Sequence, residues 1–209
     1  RALLDRLADV LDRLAAGPDR PVGTLDLLPA DDRHALQRDW DDTRHPVGAD
    51  TVADLLADQA ARTPDAVALV AGPHRLTYAQ LDERINRLAR LLLARGAGPE
   101  TVVALALPRT LDMVAALFAV LRTGAAYLPL ELDLPAERLG LLLADTEPMC
   151  VLTTAAVVPL LPPSGVAAVL VDDPEVLAAL DGSPLTDGET PAFVRGDRRR
   201  LEHPAYIIY

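Results

Sequence analysis

From residue 51 onward, short aliphatic runs alternate with stretches of helical periodicity, and that alternation leaves few folds open. VVALAL, AAYLPL and MCVLTT, starting at residues 102, 125 and 149, are nearly continuous in apolar side chains, as strands buried on both faces are. Between them lie LDMVAALFAVLR, apolar almost all round and so predicted to be a helix covered on both sides, and PAERLGLLLADT, a helix with Pro135 in its first turn. Gly124 ends the first of these. Upstream, VADLLADQAART is a helix closed by Thr63 and Pro64, and AVALV and RLTY are two short β runs about a turn at Gly72 and Pro73. A helix over 79–95 then points Leu81, Ile85, Leu88 and Leu92 inward and stops at Gly96. VAAVLVDD, from residue 166, repeats the strand theme. Strands separated by helices of this length pair in parallel through right-handed crossovers, which predicts an α/β fold with a mostly parallel sheet flanked by helices.

The first fifty residues obey another rule. RALLDRLADVLDRLAAG sets Leu3, Leu7, Leu11 and Leu14 on one face of an amphipathic helix closed by Gly17 and Pro18, and that stripe calls for a covering surface. Residues 18–50 are rich in Pro, Asp and Gly and read as a helical linker, with Ala35, Leu36 and Trp40 at helical spacing. Trp40, the single tryptophan, is expected to anchor the linker by packing against the α/β part of the chain.

Composition excludes several functions. The net charge of −11 has the wrong sign for a surface that neutralises phosphate backbones, so nucleic acid is not an expected partner. No lysine occurs, and this chain alone therefore cannot supply a lysine as Schiff base or phosphate ligand. Cys150, the one cysteine, excludes an internal disulfide, fits a reducing, cytoplasmic setting and reads as a small buried hydrophobe. Residues 148–171 carry no charge over a length that would cross a bilayer, but Pro159, Pro162, Pro163 and Gly165 divide them into two short apolar runs. No membrane association is expected, and the first residues show no secretory signal.

Few residues stand in a context that suits chemistry. His34, His45, His74 and His203 have no metal-ligand spacing. Ser164, in PPSG, lacks the context of a strained nucleophile turn. RGDRRR, residues 195–200, reads as a solvated loop rather than a phosphate patch. Arg109, in LPRT, is expected to tie a loop through its guanidinium, and Tyr127 to pack within the sheet layer rather than on a ligand. No catalytic, cofactor-binding or metal-binding residue is assigned.

Three stretches in order resemble the adenylation (AMP-binding) domain of nonribosomal peptide synthetases. LTYAQLDERINRLARLL resembles its first core motif, LRTGAAYLPLELDLPAERL its second, and the closing AYIIY the strand that opens its third. LLPADDRHALQRDWDDT is similar to the connector that joins a condensation domain to such a domain, a feature absent from fatty acyl-CoA ligases of the same superfamily. The sequence departs from the motifs at Gln80 for Glu, Arg122 and Thr123 for Lys-Ala, Glu131 and Leu132 for Asp-Pro, and Leu134 for an aromatic.

The resemblance implies residues 1–17 as the last helix of a condensation domain, 18–50 as the connector, and 51–209 as an incomplete N-terminal part of the adenylation domain. A complete domain would join an amino acid to AMP, using ATP and Mg²⁺, and pass it to the phosphopantetheine thiol of a carrier domain. Neighbouring condensation and carrier domains, with a small accessory protein in some systems, are the implied partners. The glycine-rich phosphate loop would come after residue 209, so these residues alone are expected to hold no cofactor and to be inactive. The alternative is a noncatalytic half-domain that serves as a spacer or docking element, motivated by the absence of the phosphate loop from these residues together with the altered turn at Glu131 and Leu132. In either case residues 205–209 are expected to be an interior parallel strand.

Overall fold

The computed structural model describes residues 2–19, 21–24, 28, 30–39, 48, 50–174 and 182–209. The chain divides into two compact units, 1–47 and 48–209. In the first, α1 (Ala2–Ala16) is the expected amphipathic helix, followed by α2 (Ala30–His34), which widens into a π-type turn at Ala35–Asp39. Arg6 on α1 donates to Asp32 on α2 at 2.5 Å. Leu3, Leu7 and Leu11 are exposed, so no described residue covers most of the predicted stripe. Trp40, and with it the anchoring expectation, lies outside the described residues.

The second unit is the α/β part. After α3 (Val52–Arg62), β1 (Val67–Ala71) and β2 (His74–Thr77) pair antiparallel across the Gly72 turn. Next come α4 (Tyr78–Leu93), β3 (Val102–Ala106), α5 (Leu111–Thr123), β4 (Ala126–Pro129), α6 (Ala136–Thr146), β5 (Cys150–Thr153) and β6 (Ala168–Leu170). The last four strands form one parallel sheet in the order β4-β3-β5-β6. The uncharged stretch is thus two strands around a turn, and among the described residues no helix is long and apolar enough to cross a membrane.

Alternation along β3 builds two cores. Val103 and Leu105 face one side, where Ile85, Leu88 and Leu92 of α4 and Ala116, Ala119 and Val120 of α5 meet them. Ala104 and Ala106 face the other, against Leu139, Leu142 and Leu143 of α6. Two-sided cover explains why these strands are continuous in apolar residues instead of alternating with polar ones.

Caps fix the helix ends. Thr77 accepts from the Gln80 N–H while the Gln80 side chain accepts from the Thr77 N–H at 3.0 Å, so glutamine closes the capping box as glutamate would. At the far end of α5, Gly124 takes the left-handed conformation, φ 86°.

Candidate functional site at the carboxyl edge of the sheet

In parallel sheets ligands gather outside the carboxyl ends of strands, at the point where the strand order reverses. Here β3 sends its chain through α5 to β4 on one side, and α6 then carries it to β5 on the other. The reversal places Pro108, Arg109 and Thr110, after β3, beside Thr153 and Thr154, at the end of β5. Thr153 Oγ1 is fully buried with no hydrogen-bond partner among the described residues.

Residues 205–209 approach the same sheet from its β4 side. The Tyr127 N–H donates to Ala205 O at 3.1 Å and the Ile207 N–H to Tyr127 O at 3.0 Å, which sets Tyr206 parallel to Tyr127. Their rings lie 5.7 Å apart, and Tyr209 donates through its hydroxyl to Asp145. The segment is not the interior strand expected. It makes a single bridge, and Tyr206 and Ile208 are 55% and 70% exposed, because β4 is its one neighbouring strand among the described residues. Tyr127 packs in the sheet layer as predicted. Arg109 does not tie its loop: it is exposed and makes no hydrogen bond or ion pair with the described residues.

The arginine run is less solvated than its composition suggests. Arg195 donates to Asp50 and to both carboxylate oxygens of Asp58. Arg200 is buried, 4.4 Å from the centre of the Phe193 ring, and donates to Asp54 Oδ1 at 3.0 Å. Burial raises the Asp54 carboxyl, but the bonds from Arg200 and Thr51 outweigh it and hold the group below its ordinary value.

A cavity of about 530 Å³ lies away from the strand ends, against α3 and α4. Asp54, Asp58, Asp82, Glu83 and Asp187 line it, and its arginines, Arg122, Arg195 and Arg200, are all engaged with carboxylates. A triphosphate would meet repulsion in that cavity. No group of His, Cys, Asp and Glu among them has the arrangement of a metal site. Burial pushes the Cys150 thiol up to about 11, against a smaller opposing effect of Arg95. Thiol reagents at neutral pH should leave Cys150 unmodified until denaturant is added; prompt labelling of the folded protein would contradict this burial.

Sheet order and two-sided helix cover define a parallel α/β domain. The chain belongs to the AMP-binding enzyme family, whose model matches residues 56–209. It is 38% identical over 213 residues to the dimodular nonribosomal peptide synthase of Bacillus subtilis (strain 168), covering 100% of this chain and 9% of that protein. It is 43% identical over 210 residues to phosphinothricin tripeptide synthetase PhsB of Streptomyces viridochromogenes, covering 98% and 17%. Among solved structures, the AMPPNP-bound nonribosomal peptide synthetase FmoA3 superposes with a TM-score of 0.74 at 30% identity, over 99% of this chain and 21% of that one. The chain therefore corresponds to the N-terminal portion of a nonribosomal peptide synthetase adenylation domain.

Proposed function

We propose that this chain is the scaffold half of an adenylation domain which, when complete, activates an amino acid as its adenylate and loads it onto a carrier-domain thiol. The observation that carries the reading is similarity to a synthetase along the whole chain. On this reading residues 1–17 end a condensation domain, 18–50 are the connector and 51–209 begin the adenylation domain. ATP and Mg²⁺ would be gripped chiefly by residues beyond Tyr209, with 205–209 as the approach to them. Backbone N–H groups of a glycine-rich turn suit that task, because glycine lets the chain come close to phosphate.

The spacer alternative drew on Glu131 and Leu132. That turn closes through a Leu134 N–H to Glu131 O bond of 3.1 Å, and both leucines pack on the α6 side of the core. The altered residues thus keep the turn folded. Amino-acid-dependent pyrophosphate exchange is expected from the full-length protein and not from residues 1–209 alone. Exchange by the short chain at the full-length rate, or none by the full-length protein with any amino acid, would sink the proposal.

A further inference from the structure

Residues 182–203 contain no strand and only one 3₁₀ turn, Arg198–Glu202, yet side chains pin them at several places. Arg90 of α4 grips Glu189 and the carbonyls of Ser183 and Pro184. Arg195 reaches Asp50 and Asp58, Arg200 reaches Thr51 and Asp54, and His203 Nδ1 lies 2.5 Å from Glu100 Oε1. Phe193 is the one buried apolar side chain of the segment, seated on Gly124. Cavities of about 530 and 80 Å³ are both lined by Phe193 and Arg200.

This is a segment held by one buried plug, by Leu185 half-buried against the main core and by a row of clasps, not by a core of its own. Few buried apolar contacts mark regions that open below the free energy of global unfolding, and the side-chain bonds are then the clasps that hold such a region closed. Directly after it, residues 205–207 join β4 through only two backbone bonds. Beside these bonds stand the Tyr127–Tyr206 ring contact, Ile207 against the α6-side core and the Tyr209 hydroxyl on Asp145; a closed preceding segment adds to them by keeping the free chain to residue 205 short.

We propose that residues 182–203 form a strap that opens and closes as one unit, and that its closure holds 205–207 beside β4. Phe193 is the plug, Arg200 fixes its ring while clasping the start of α3, and Arg195 is an outer clasp. Opening the strap lengthens the free chain leading to residue 205, which weakens the bridge at Tyr127. The device thus couples the α3 end of the domain to the sheet edge, across the small cavity that Thr51, Val52 and Ala205 line together.

Hydrogen exchange on the full-length protein tests this, with β3 amides as internal reference. In Phe193→Ala and in Arg200→Met, the Ile207 amide should exchange about tenfold faster or more, together with the Phe193 and Arg200 amides, while β3 is unchanged. Arg195→Ala, at an exposed clasp that leaves the core intact, should accelerate the same set by a smaller factor. Unchanged Ile207 exchange while the strap amides speed up would overturn the coupling. Acceleration of β3 to the same extent in Arg195→Ala would show global unfolding and overturn the strap as a separate unit.

Discussion

Replacing Gly124 by valine is expected to lower the unfolding free energy by about 2–5 kcal/mol, from two separable causes. A side chain held left-handed at φ 86° costs about 1–2 kcal/mol. The added Cβ would also stand 2.6 Å from Phe193 Cδ2 and 2.7 Å from Cγ, and relieving that crowding costs about 1–3 kcal/mol more. Urea unfolding midpoints measure the sum. Combining Gly124→Val with Phe193→Ala should cost less than the two changes separately by about 1–3 kcal/mol, since the ring that is crowded has gone. Strict additivity would mean that the ring and position 124 do not touch.

Arg122→Met should cost about 3 kcal/mol, because it strips the cation from an almost buried pair and leaves its partners behind. Arg122 Nη1 donates to Asn86 Oδ1 at 2.5 Å and lies 2.8 Å from Asp82 Oδ1, with side-chain exposures of 10% and 16% for the two charged residues. Asn86 is wholly buried and passes the connection on, donating to Asp82 and to the Gly182 carbonyl. Adding Asp82→Leu should recover much of the loss, because no unpaired charge then remains. Arg122→Lys should fall between, one ammonium replacing a planar fork. Equal unfolding midpoints for Arg122→Met and the parent protein would show that the network contributes nothing.

What could be read in advance was what local periodicity encodes. All four side chains assigned to the inner face of α4 are buried, and the glycine stop after α5 adopts the conformation only glycine takes freely. The strands after residue 100 were legible because cover on both faces leaves an unbroken aliphatic run. Arg200 was not, since its partner Asp54 is 146 positions away and a run of arginines looks the same whether solvated or clasped. Residues 205–209 misled for a related reason: Tyr-Ile-Ile-Tyr has the composition of a buried strand, and how many neighbours a strand has is set by topology, which no short window contains. Arg109 stands in a loop that a guanidinium could tie, yet it is exposed and finds no partner among the described residues.

The seat that Gly124 offers Phe193 also bears on domain engineering. A chimera whose crossover falls between those two positions draws them from different parents. It will fit only where the donor's ring and the recipient's glycine still suit each other. Placing the joint before 124 or after 193 keeps the pair together, and exchanged pieces should then tolerate far greater divergence.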